Sequence, residues 1–288
     1  MRLLRGIGRC VTGTAAGVVE HAAVALGDDG RIAWVGADGA VPAAVLRGRP
    51  TVEEECGGAL LTAGLVDAHT HPVYASARLE EIARRTAGAT YDELAAAGGG
   101  IAATVAESRQ ILEAGRAAGL RLRLHADELA RTGGARLAAE LGADSADHLL
   151  RVTEADARHL AAAGVVATLA PVTALAMGRR PPARLLQAAG VPLALATDHN
   201  PGTSGTTSMS LVIGLAVLDL GLSVGEALHA ATAGGALSLR LDDRGTVAPG
   251  QLGDLVLWDA DHEGAFAWAL GLRPRRVWRG GEPVAASA

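Results

Sequence analysis

Apolar positions in the first sixty residues come in short runs separated by turn residues. In "AAVALG-DDG-RIAWVG" two runs flank Asp28, Asp29 and Gly30, which predicts a hairpin. The texture returns after residue 244 in "GTVAPGQLGDLVLWDA" and "RRVWRGGEPV". The two ends, 1–58 and 244–288, are therefore expected to form one small β-sandwich domain around a middle region, 59–243. That middle opens on a longer apolar run, "ALLTAGLV", which reads as a buried strand. Further on, a helix ends in "AAG" and a strand follows three times: "GRAAGLRLRLHADE", "LAAAGVVATLAP" and "LQAAGVPLALATD". Gly119, Gly164 and Gly190 stand where a left-handed helix cap is wanted. Thr104 with Glu107 and Ser223 with Glu226 have capping-box spacing, and Pro181 and Pro182 suit a first helical turn. Repeated helix-to-strand units predict an α/β fold with a parallel sheet, most economically a (β/α) TIM-type barrel.

Polar residues gather where these strands end. His69 and His71 lie at i and i+2 after the apolar run, so on an extended chain both side chains point the same way. His125, His148 and Asp198 close other strands, and barrel strands open their C-terminal ends onto one face. A His-x-His pair alone is more often a surface or core pair. With His125 and Asp198 it completes a three-histidine, one-carboxylate set for one divalent ion, Zn or Fe.

Composition narrows the rest. A net charge of -5 gives no basic surface for nucleic acid or an acidic membrane. The longest apolar patch, "LVIGLAVLDLGL", is broken by Asp219 and too short to span a bilayer, and the N-terminus lacks a signal-peptide core, so a cytoplasmic protein is expected. Cys10 and Cys56 lack metal-type spacing and read as reduced structural thiols. All 26 basic residues are Arg, which excludes a two-metal centre bridged by a carboxylated lysine.

The motifs "GLVDAHTHPVYASAR", "GATYDELAAAGGGI", "LHADEL", "GGARLAAELGADSADHL" and "LATDHNPGTS" resemble those of the imidazolonepropionase family in the amidohydrolase superfamily. The resemblance implies an amidohydrolase-type barrel with His69, His71, His125 and Asp198 around a single metal. It implies that Arg78 clamps a substrate propionate, and that Glu128 and His148 flank the reacting carbonyl. It also implies a loop carrying Asn200, Gly202 and Thr203 that touches the imidazolone. The implied reaction is hydrolysis of the cyclic amide of 4-imidazolone-5-propionate to N-formimidoyl-L-glutamate, a step of histidine degradation. In that chemistry Glu128, or Asp198, moves a proton to the leaving nitrogen.

Quieter readings stand beside these. Arg78 could open a helix, Glu128 could be a solvated carboxylate, His148 a core histidine bonded to a backbone carbonyl, and Asn200 part of an Asn-Pro-Gly turn. His21, His159, His199, His229 and His262 read as structural or solvent-facing.

One departure stands out. Residues 60–240 are short of the ~250, or at least ~200, that a full barrel takes. The resemblance runs through "GGGIAATVAESR" to Arg109 and resumes at "ILEAGRAAGLRLRLHADE", so about three βα units are expected to be missing there. The barrel is then truncated, with strand edges for a partner chain to cover, and a homodimer is expected. The alternatives are a related amidohydrolase acting on another small lactam, or a non-catalytic metal-binding remnant.

Overall fold

The computed structural model describes residues 1–47, 50–71, 83, 84, 86–89, 93 and 105–284, with side chains in the last stretch from 108 onward. Arg78 and Thr104 lie outside the described residues.

Both chain ends build one sheet. Its strands are β1 (Arg2–Val11), β2 (Val18–Leu26), β3 (Ile32–Ala37), β4 (Val52–Glu55), β5 (Leu60–Ala63), β10 (Leu255–Trp258), β11 (Pro274–Arg279) and β12 (Glu282–Pro283). The order is β12-β11-β10-β5-β1-β2-β3, with β4 branching from β1. The long β1 serves two partners in turn: Arg2–Arg5 pair with β4 and Arg9–Val11 with β5. Its register against β2 shifts between Leu4 and Ile7, around left-handed Gly6 (φ 63°). Ile7, Cys10, Leu26, Leu61, Leu257 and Trp278 fill the core of this sheet. Both cysteines are free and buried, and burial pushes their thiols up to about 12 and about 11. The hairpin at Asp28–Gly30 forms between β2 and β3, with Gly30 left-handed.

The middle is α/β. Strands β6 (Arg123–Ala126), β7 (Ser145–His148), β8 (Val166–Leu169) and β9 (Leu193–Leu195) form a parallel sheet in that order. Helices Gly134–Leu141, Glu154–Ala163 and Ala183–Ala188 return the chain between them. The expected stop signals hold: Gly119, Gly164 and Gly190 are all left-handed. Ser223 and Glu226 make a full capping box, as do Thr153 and Asp156. Helix Val105–Ala117 runs through Arg109 without a break. Among the described residues no helix is long and apolar enough to cross a membrane.

One sequence-based expectation changes. The run 59–66 was expected to be a single strand leading His69 into the parallel sheet, but β5 ends at Ala63 and belongs to the terminal sheet. Its Leu61–Ala63 backbone is taken up by β10 on one side, while β1 pairs with Leu60–Thr62 on the other. Residues 64–71 then cross to the parallel sheet as extended chain. The Val66 amide donates to Ala231 (2.8 Å), Asp198 to His69 (3.0 Å), and His71 to His199 (2.9 Å). Thr70 forms a parallel bridge to His199. The Asp67 carboxylate accepts from the Thr197 amide (3.0 Å) and hydroxyl (2.5 Å) and so fixes this docking.

Tight backbone approaches pack these layers. Trp258 of β10 meets Phe266 edge-to-face at 4.8 Å and donates to Thr62 at 2.9 Å. Behind β9 a π-helical turn, Ala230–Gly234, brings Gly234 so close that a Cβ there would stand 2.1 Å from the Leu193 carbonyl oxygen. Gly234→Ala is therefore expected to lower unfolding stability by about 1–3 kcal/mol, measured by urea denaturation. Gly225→Ala, where the added carbon meets open space, is the control.

Candidate metal centre and catalytic cleft

Residues at the ends of the parallel strands meet those of the extended 64–71 segment. His69 and His71 arrive on the extended segment, with Nε2 atoms 3.2 Å apart. Asp198, just beyond β9, places Oδ1 3.1 Å from His71 Nε2 and 3.4 Å from His69 Nε2. His125 of β6 brings its ring centroid to 4.8 Å from His69 and 5.5 Å from His71. His148 joins them, 4.8 Å from His125 in a stacked pose and 5.4 Å from His69. Two ligand-type groups emerge, His69 with His71 and Asp198, and His69 with His125 and His148.

The backbone is bent where these side chains turn inward. Among the described residues six non-glycines have positive φ, and Asp127, His148, Leu149 and Asp198 are four of them, all at parallel-strand ends. Such strain persists only where surrounding bonds enforce it. At Asp127 the enforcement is visible: its buried carboxylate accepts from the amides of Thr132, Gly133, Gly134 and Ala135. Asp127 thus anchors a helix start directly beside Glu128. At Asp198, Thr173 donates to Oδ2 (2.5 Å), leaving Oδ1 to face the histidines.

Electrostatics divide the cluster. Burial lowers the proton affinity of His69, but its bond to Asp147 (2.6 Å) and that carboxylate's charge outweigh it, so the His69 pKa is raised. Asp147 falls to about 2, because burial, which raises it, is overcome by the His69 bond and the Arg123 charge. Burial, then the neighbouring His69, lower His125 to about 4. His148, buried and crowded by His125 and His69, lies well below the usual imidazole value. Burial, then the Asp198 charge, push Glu128 up to about 7. Asp198 is itself raised by burial, against its Thr173 bond and the charges of His69 and His71. A neutral His125 and His148 beside two carboxylates is a donor set suited to a divalent cation.

Two buried polar atoms of the cluster lack partners within the protein. His148 Nε2 and Asp198 Oδ1 are buried without a hydrogen-bond partner, a costly state for polar groups in a folded core. Asp198 Oδ1 faces two imidazole nitrogens at 3.1 and 3.4 Å, which is the array a cation would organise. The residues fit the metal.

The remaining expected site residues have mixed placements. Glu128 Oε1 lies 3.7 Å from His148 Nδ1, so the two stand together. Asn200 is buried, with Oδ1 accepting from the amides of Gly202 and Thr203 (2.8 Å each) and Nδ2 donating to the Asp198 carbonyl (2.6 Å). Its amide is thus committed within the 198–204 loop, the turn role that the Asn-Pro-Gly motif also carries. Thr203 Oγ1 reaches Thr173 at 3.2 Å, beside Asp198. Asp147 was missed from the sequence. Its signal was the strand register, which sets it opposite His125.

In the metal-free protein, Glu128 carries a raised folded pKa, so its ionisation costs stability above the unfolded carboxylate value. Glu128→Gln removes that cost. The variant is expected to match the parent at pH 4 and to exceed it by on the order of 2–3 kcal/mol at pH 8, measured by urea unfolding of chelator-treated protein. An equal stability difference at both pH values is the contrary result.

Known proteins resemble the chain in sequence and in fold. The sequence profile of the Amidohydrolase family matches residues 82–285. An imidazolonepropionase from Syntrophobacter fumaroxidans is 48% identical over 173 residues, covering 59% of this chain and 41% of the relative. One from Anaeromyxobacter dehalogenans is 33% identical over 372 positions, covering 88% of each chain. Because this chain has 288 residues, that relative carries stretches with no counterpart here. Among solved structures, a zinc-bound adenosine deaminase from Xanthomonas campestris superposes with TM-score 0.72 at 22% identity, covering 98% of this chain and 92% of its own. Atrazine chlorohydrolase from Arthrobacter aurescens, complexed with zinc, superposes with TM-score 0.70 at 17% identity, covering 98% and 95%. The chain therefore belongs to the amidohydrolase family, as an imidazolonepropionase-like member that lacks an internal stretch of its relatives.

Proposed function

We propose that the chain is a mononuclear metal-dependent hydrolase that opens the cyclic amide of 4-imidazolone-5-propionate, giving N-formimidoyl-L-glutamate. The observation that carries this reading is the convergence on His69 of two ligand-type groups, His71 with Asp198 and His125 with His148, with Glu128 beside His148. The parallel strands and the extended 64–71 segment form one continuous run, His69 segment–β9–β8–β7–β6. We read it as the retained part of an amidohydrolase barrel, with residues 1–58 and 244–288, joined in one sheet by β5, as the small domain beside it.

His69, His71, His125 and Asp198 would hold one divalent ion, Zn or Fe. Such an ion supplies Lewis acidity and makes water acidic enough to act as a nucleophile near neutral pH. The protein's own groups do the rest. Glu128, poised near neutrality, takes a proton from the attacking water and returns it to the leaving ring nitrogen. His148, held neutral, has Nδ1 near Glu128 and Nε2 without a partner, so it can donate one hydrogen bond to the oxyanion that develops on the carbonyl. Arg78 would pair bidentately with the propionate carboxylate and orient the substrate.

The missing stretch favours a second reading, a metal-binding remnant without turnover. Metal analysis joined to an imidazolonepropionate hydrolysis assay separates the two, since bound metal without hydrolysis supports the remnant. His125→Ala is expected to lose metal and activity together. Arg78→Ala is expected to keep its metal and raise KM for the carboxylate substrate at least ~10-fold, while kcat changes less. Unchanged KM in Arg78→Ala removes the clamp assignment.

A further inference from the structure

Among the described residues, the outer edge of β6 pairs with no strand. Yet His125 of β6 and His69 of the extended segment must hold a fixed separation if they share one ion. The contacts that span this seam come from Arg123, two residues before His125. Its guanidinium donates to the Ala68 carbonyl at 2.7 Å, next to His69, and to the Ser238 carbonyl at 3.1 Å. The same group lies 3.4 Å from both oxygens of Asp147. Asp147 in turn accepts from His69 Nδ1 at 2.6 Å, and the Ser145 hydroxyl, itself 2.7 Å from Thr168 Oγ1, donates to its other oxygen.

We propose that Arg123 is a positioning residue for the His69 imidazole, acting through Asp147 and the Ala68 carbonyl across the unpaired edge of β6. The reasoning is geometric. A ligating imidazole needs its second nitrogen held, so that tautomer and ring direction are fixed, and Asp147 does this for His69. Asp147 needs a counter-charge to remain an acceptor at that spot, and Arg123 supplies it. A planar fork can serve a carboxylate and two carbonyls at once, which a lysine ammonium on a flexible stem does less well. The guanidinium therefore ties both ends of the parallel sheet to one orientation of the first ligand.

The inference rests on the metal-centre reading, and its test reads metal binding rather than turnover. Full-length protein, stripped of metal, is titrated with Zn2+ against a chromophoric chelator, and its Co2+ form is recorded in the visible region. Arg123→Met and Asp147→Asn are each expected to weaken Zn2+ binding roughly 10–100-fold and to shift the Co2+ bands alike. The double variant is expected to lose clearly less than the product of the two single losses, because the two changes share one carboxylate. Arg123→Lys keeps charge without the fork, and is expected to fall between the parent and Arg123→Met. Parent-like Zn2+ affinity and Co2+ spectrum in Arg123→Met overturn the inference, as does a double variant whose losses multiply. If Arg123→Met does not fold, parent-like affinity in Arg123→Lys overturns it instead. A parent chain that takes up neither Zn2+ nor Co2+ overturns the metal centre along with it.

Discussion

The site depends on one short backbone pairing, residues 67–71 lying beside 197–199. Two amide bonds, one parallel bridge and the Asp67 carboxylate on Thr197 hold segments that are 130 positions apart in the chain. Remove that pairing and His69, His71 and Asp198 no longer face one another. Long-range strand pairing is costly in loop-closure entropy, so a contact this remote needs several bonds acting together. The crossing segment supplies them without belonging fully to either sheet.

Around that pairing, charge is distributed so that each histidine is used differently. Asp147 and Arg123 keep His69 directed, while His148, enclosed by protein, and His125, whose residue is exposed on one side, both hold protons less readily than a free imidazole because their rings are desolvated and other imidazoles crowd them. Glu128, pushed up to about 7, can exchange a proton near neutrality. A few ångströms separate these behaviours, and they follow from which side chain has a carboxylate neighbour and which has an imidazole.

Much of this was legible in the sequence. The His-x-His spacing, the histidines and aspartate closing apolar runs, and the repeated helix stops at Gly119, Gly164 and Gly190 each state a local rule that the fold obeys. The extent of β5 was not legible, because an apolar run of eight residues does not say which of two sheets will take its amides. Asp147 and Arg123 were hidden for a related reason. Each is one polar residue inside a short strand, and only the parallel register of β6 against β7 sets them against the ligands. Asp127 was concealed differently, since its carboxylate caps a helix that begins seven residues later.

The unbroken helix at Val105–Ala117 bears on how such a chain could lose part of its fold. A cut made inside helices joins two segments of the same pitch, so the composite spans the junction as ordinary helix. A loss at this helix would leave each remaining strand its own return path and its place in the sheet order. A cut within strands would displace side chains to the opposite face by a single-residue slip. Architectures whose reactive groups all sit at strand ends can therefore shed whole strand-and-helix modules while the chemistry carried by the survivors stays in phase.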